Sequence, residues 1–160
     1  MTDSRRRFIR NAALLSAGWS MSSNMPGPLK TGFSKSNLRA DKIRIGAIGI
    51  NGMGWSDLNA MLKANPDTIC TAICDVDNSV LSKRSADLEK NFSMKPAAYG
   101  DYRKLLDDKN IDAVIIGTPD HWHCLQMVEA CQAGKHVYVE KPIANSIEEC
   151  RVMVAAQQKY

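Results

Sequence analysis

Between Ile43 and Trp55 the chain reads IRIGAIGINGMGW, and Gly49, Gly52 and Gly54 crowd the point where an apolar run gives way to a helical pattern. Aligned on Gly49 and Gly54, this loop has the spacing of the dinucleotide fingerprint G-x-G-x-x-G, with Asn51 in the middle position. Glycines there permit a tight turn and let backbone N–H groups approach a pyrophosphate at the positive end of a helix. Asparagine enters left-handed backbone conformations more readily than other residues that carry a side chain, so the loop is expected to keep its course. Asp75, in CDVD, follows Gly54 by 21 residues, the spacing at which an acid accepts hydrogen bonds from ribose hydroxyls. Its charge would repel a 2′-phosphate, which favours NAD over NADP; its plain alternative is a turn-former or helix cap. Two further clusters stand out, GTPDHWH (Gly117 to His123) and VEKP (Val139 to Pro142). Asp120, His121, His123 and Cys124 invite a metal reading. Alternate residues at a helix start diverge, however, and zinc ligands converge from more than one segment, so no metal is assigned.

Elements that alternate in type must position these residues. KIRIGAIG, TICTAICDV, AAYG, DAVIIGTP and KHVYVEKP read as strands; MGWSDLNAMLKAN, NSVLSKRSADLEKNF, DYRKLLDDK, DHWHCLQMVEACQAG and SIEECRVMVAAQQKY read as helices. Asp77 or Asn78 is expected to cap the second helix and Asn145 or Ser146 the last, while Gly134 ends the fourth as its C′ residue. Such alternation implies right-handed crossovers and an α/β fold with a doubly wound, Rossmann-type parallel sheet. Ligands of these folds bind at the carboxyl ends of the strands, which is where the glycine loop, Asp75, GTPDHWH and VEKP fall.

The net charge of +4 is unevenly distributed. Residues 1–40 hold seven Lys/Arg against one acid, and the remaining 120 residues hold fourteen basic against sixteen acidic side chains. Basicity therefore belongs to the leader, and nucleic-acid binding is not indicated. SRRRFIR (Ser4 to Arg10) followed by NAALLSAGW closely resembles a twin-arginine export signal with Arg5 and Arg6 as the pair, which predicts a signal peptide and linker over 1–40 and a periplasmic or secreted protein carried across already folded. A disordered basic tail is the alternative. The apolar stretch is too short and interrupted for a membrane span. Five cysteines at no metal-like spacing read mainly as buried thiols. Cys70 and Cys74 are expected on one face of a strand, Cys124 and Cys131 on one face of a helix, and a disulfide after export is left open.

Taken together, GINGMG, the acid in CDVD, TPDHWH for T-P-[ND]-x-x-H and EKPIA for E-K-P-[IL]-[AS] resemble the nucleotide-binding half of the glucose–fructose oxidoreductase / inositol dehydrogenase / MocA family, over essentially all of 41–160. The resemblance implies that Gly49, Asn51, Gly52, Met53 and Gly54 form the pyrophosphate loop and that Asp75 holds the adenosine ribose. It places Thr118, Pro119, Asp120 and His123 on the nicotinamide side of the cleft, and Glu140 and Lys141 at the nicotinamide ribose. Pro142 is often cis in this family, turning Lys141 inward. Lys141, partly desolvated beside a cationic ring, is then the base or relay for a substrate hydroxyl. A solvated Glu140–Lys141 pair is the bland alternative.

The resemblance further implies an NAD(P)-dependent oxidoreductase acting on a sugar or sugar derivative. The alternatives are an NAD-dependent glycosidase of the same superfamily and a nucleotide-binding module without catalysis. Family members continue into a second α+β domain, which supplies further catalytic residues and a homo-oligomer interface. Because the sequence ends at Tyr160, before the final strand of the first domain, a fragment with an incomplete sheet and little turnover of its own is expected.

Overall fold

The computed structural model describes residues Lys42–Tyr160; the basic leader, and with it the twin-arginine reading, lies outside the described residues. Five parallel strands, β1 (Ile43–Ile48), β2 (Thr68–Cys74), β3 (Ala97–Tyr99), β4 (Ala113–Ile116) and β5 (His136–Val139), form one sheet in the order β3-β2-β1-β4-β5. Helices α1 (Met53–Ala64), α2 (Asn78–Phe92), α3 (Tyr102–Asp107), α4 (His123–Gln132) and α5 (Ile147–Lys159) alternate with them.

The strand order dictates which face each helix covers. The chain moves one way from β1 to β3, then crosses back to β4 and moves the other way. Right-handed crossovers therefore deposit the helices of the two halves on opposite faces. On one face Leu58 and Leu62 of α1 and Leu81 and Leu88 of α2 pack on Ile45, Ala47, Ile73 and Ile115. On the other, Tyr102, Leu105 and Leu106 of α3 and Ala130 of α4 pack on Ile48, Ala72, Val114 and Ile116. Burial of each large aliphatic side chain contributes about 1.5–3 kcal/mol, and the central strands are apolar on both sides for this reason. The helix α5 packs on α4 rather than on the sheet.

Helix ends follow local chemistry. The Asp77 carboxylate accepts the Ser79 N–H to start α2, and the Ser146 hydroxyl accepts the Glu149 N–H to start α5. Gly134 takes φ +72° just beyond α4, the left-handed C′ position. The segment expected as one helix from Asp120 begins instead as a 3-10 turn, Asp120–Trp122, before α4 proper.

Cys70 and Cys74 do not share a face. Ile45 pairs with Cys70 but Gly46 pairs with Ala72, so Thr71 is an extra residue in β2. This one-residue bulge reverses the alternation. Cys70 consequently joins the core under α1 and α2, and Cys74 the core under α3 and α4. Burial pushes both thiols up to about 12, which keeps them protonated and inert.

Candidate functional site

The carboxyl ends of β1, β2, β4 and β5 open into one cleft of about 910 Å³, near the upper end of the ~300–1,000 Å³ range of small-molecule sites. Its floor lies between β1 and β4, where the strand order reverses.

Three glycines set that floor. Gly49 has φ +77°, and a Cβ there would lie 2.7 Å from both the Thr118 backbone nitrogen and Cγ2. A Cβ on Gly54 would strike the Gly49 carbonyl oxygen, and one on Gly117 would strike the Gly54 Cα. Strand end, helix start and the GTP turn thus touch backbone to backbone. Gly117 carried a signal, a glycine ending an apolar strand, that the sequence reading did not use.

Asn51 needs no left-handed conformation. Among the described residues only Gly49, Gly134 and Ser93 have positive φ, so the turn is made at Gly49 and a side chain at 51 adds no backbone strain. Asn51 and Met53 are exposed at the cleft, and a Cβ at Gly52 would meet nothing within 4 Å. The start of α1 at Gly52 has no side-chain cap and no acid in its first turn, leaving its N–H groups turned to the cleft side.

Asp75 closes the loop from the side. Its Oδ2 accepts the Ile50 N–H at 3.0 Å and its Oδ1 the Asp77 N–H at 3.1 Å. Arg84 of α2 lies in no motif that would mark it as a site residue. It donates from Nε to the Ile50 carbonyl at 3.2 Å and from a terminal nitrogen to the Asn51 carbonyl at 3.0 Å, while stacking 4.4 Å over Trp55.

On the opposite side, Thr118, Pro119 and Asp120 line the cleft, with the Thr118 hydroxyl donating to Gln126 Oε1 at 2.7 Å. His123 is only 1% exposed. Its Nε2 lies 2.8 Å from the Thr118 carbonyl and its Nδ1 2.9 Å from that of Pro142. Both nitrogens are engaged by backbone, so His123 is a strut beneath the cleft that joins two strand-end loops. Asp120 Oδ1 accepts the His121 N–H, and Trp122 stands half-exposed, edge-on to Tyr102 at 6.5 Å.

The Lys141–Pro142 bond is cis. Glu140 is buried and accepts the Tyr138 hydroxyl proton at 3.3 Å, whereas the Lys141 side chain is 79% exposed with Nζ 4.0 Å from Glu140 Oε1. The expected desolvation of Lys141 is therefore not provided by the described residues. Asp57 of α1 faces this pair. Burial, then the Glu140 charge, raises its carboxyl above the ordinary value against the opposing pull of Lys141, and its Oδ2 has no hydrogen-bond partner. Its position in the second turn of a surface helix gave no sequence signal.

This parallel sheet with a glycine cradle, an acid at the second strand end and an uncapped helix start defines a dinucleotide-binding Rossmann domain. Residues 43–160 match the model of the GFO_IDH_MocA oxidoreductase family, NAD-binding Rossmann fold, and the chain belongs to that family. A glycosyl hydrolase family 109 protein of Shewanella sp. W3-18-1 is 34% identical over 170 residues, covering 97% of this chain and 37% of its own length. An alpha-N-acetylgalactosaminidase of Shewanella oneidensis is 33% identical, covering 91% of this chain and 35% of its own. Among solved structures, the WlbA dehydrogenase of Bordetella pertussis in complex with NADH and UDP-GlcNAcA superposes with a TM-score of 0.66 at 28% identity, over 74% of this chain and 34% of that one. A myo-inositol 2-dehydrogenase of Lactobacillus plantarum gives 0.62 at 25% identity, over 72% and 33%. The chain thus spans about a third of the length of these relatives.

Proposed function

We propose that this domain holds NAD for hydride transfer at a hydroxyl-bearing carbon of a sugar or sugar derivative, within an exported protein. The observation that carries the reading is the convergence of five strand-end features on one cleft: the Gly49–Gly54 cradle, Asp75, Thr118, Glu140 and Lys141.

The cleft fits the cofactor. The cradle at Gly49 and Gly54 has no room for side chains, and the bare start of α1 offers N–H donors to a pyrophosphate. Asp75 keeps lone pairs for ribose hydroxyls beside its two backbone donors. When bound, NAD supplies a nicotinamide ring that takes or returns hydride. The chain's own part is to orient and to move a proton: Thr118 and Glu140 border the ring side, and the Lys141 amine at the cleft mouth receives or relays the hydroxyl proton once a substrate and covering residues desolvate it.

A second reading rests on the glycosidase relatives, which are more than 30% identical over nearly the whole chain. In it, hydride removed from the sugar is returned within the same turnover, and a glycosidic bond is cleaved without net NADH. Export is supported by SRRRFIR (Ser4 to Arg10), an arginine pair followed by a short apolar stretch.

Calorimetric titration of the chain with NAD and NADP tests the binding step; NAD binding in preference to NADP is expected, and no binding of either refutes the proposal. Assays of the complete gene product then separate the readings. NADH formation with free sugars supports the oxidoreductase, and release of an aryl group from an N-acetylgalactosaminide without NADH supports the glycosidase.

A further inference from the structure

The first turns of α4 and α5 each carry a half-buried free cysteine, Cys124 and Cys150, and the two helices pack on each other. The Cys124 thiol donates to the Glu149 carbonyl at 3.7 Å. That oxygen is one peptide unit from the Cys150 Cα, which places Cys124 Sγ within roughly 6.5 Å of it by standard backbone dimensions. Rotation about the two side-chain χ1 bonds acts over this remaining gap. Cys150 also lines a shallow surface groove with Ile147, Arg151 and Val154, which opens it to an external oxidant. No other cysteines are so placed: Cys70 and Cys74 are buried on opposite faces of the sheet, and Cys131 lies against Met127 on its own helix.

We propose that Cys124 and Cys150 form a reversible disulfide that fastens the start of α5 to the start of α4. The oxidant is a low-molecular-weight or protein disulfide. The Cys150 thiolate attacks one of its sulfurs, forming a mixed disulfide and releasing the first thiol. The Cys124 thiolate then attacks Cys150 Sγ, forming the Cys124–Cys150 bond and releasing the second. Two protein thiols are oxidised, one external disulfide is reduced to two thiols, and the protons pass to the departing sulfurs. Burial, with Glu149 and Cys150 nearby, raises the Cys124 thiol, consistent with its acting second.

The bond closes a loop containing β5, Lys141 and the Pro142 turn, and it starts one residue from His123, the strut beneath that turn. Oxidation therefore restrains the segment that presents Lys141 to the cleft. An exported protein meets such oxidants as a matter of course, so the physiological side of this inference rests on the proposed export.

The test does not depend on export. The purified full chain is equilibrated in oxidised and in reduced glutathione, alkylated, and mapped by mass spectrometry of its peptides, with Tm and NAD titration on both samples. A Cys124–Cys150 linked peptide in the oxidised sample is expected, with Tm raised by about 5–10 °C over the reduced sample. Loss of both effects in Cys150→Ser is also expected. Five alkylated cysteines in the oxidised sample, or a dominant linkage through Cys131, overturns the proposal. NAD binding retained in the reduced sample shows that such a failure leaves the proposed function standing.

Discussion

The Asp75 carboxylate accepts the backbone N–H of Ile50 at 3.0 Å, so the acid proposed to hold the ribose is also the fastener of the glycine loop. Removing it acts on ligand and loop together. Asp75→Ala is expected to weaken NAD binding by about 10- to 100-fold, the range for losing one to two hydrogen bonds to a charged group, and to narrow the preference for NAD over NADP. Calorimetry with both nucleotides measures this, and unchanged NAD affinity would count against the assignment.

Gly49 and Asn51 are expected to respond oppositely to substitution. Gly49→Val puts a branched side chain at φ +77° and within 2.7 Å of Thr118, and should abolish NAD binding while costing at least ~2 kcal/mol of stability. Asn51→Gly changes an exposed residue of ordinary backbone conformation and should leave affinity within a few-fold. Equal affinities in the two variants would refute the reading of the loop.

His123→Ala leaves the Thr118 and Pro142 carbonyls without their shared partner and opens a buried cavity. A loss of about 2–4 kcal/mol in urea unfolding is expected. A loss below ~0.5 kcal/mol would show that the strut does not hold the two loops.

Asp112 contributes to the acid limb of stability. Hydrogen bonds from the Arg44 side chain and backbone hold its carboxyl at about 2, below the usual 3.8. A depressed folded value contributes stability that is present above 3.8 and is lost as pH falls through about 2. Both side chains are more than a third exposed, at 39% and 38%, so solvent screening reduces the contribution to about 1 kcal/mol. Asp112→Asn should lose that amount at pH 7 and flatten the decline between pH 4 and 2 in denaturant unfolding. Asp57, raised by burial and by Glu140, has the opposite sign: its contribution is present at low pH and lost as pH rises through the raised folded value.

Much of the site was legible because its signals are local. A glycine loop between strand and helix, an acid 21 residues on and two motifs at strand ends are patterns of spacing, and a parallel sheet gathers strand ends whatever packs beneath them. The readings that failed depended on one residue's exact geometry. The bulge at Thr71, which parts Cys70 from Cys74, leaves no mark in an apolar run. Arg84 lies in no motif, and only the packing of α2 brings it against the Ile50 and Asn51 carbonyls.

The amino-acid order alone settled the class of fold and the strand ends that border the cleft, because periodicity and turn chemistry are properties of neighbours along the chain, while its motifs carried the family resemblance. The folded molecule settled the division of labour within the motifs. His123, at the edge of the cleft, became a buried strut between two loops, Gly49 rather than Asn51 made the turn, and Lys141 stood exposed beside a buried Glu140. These outcomes turn on distances between segments far apart in sequence, which packing fixes and spacing does not encode.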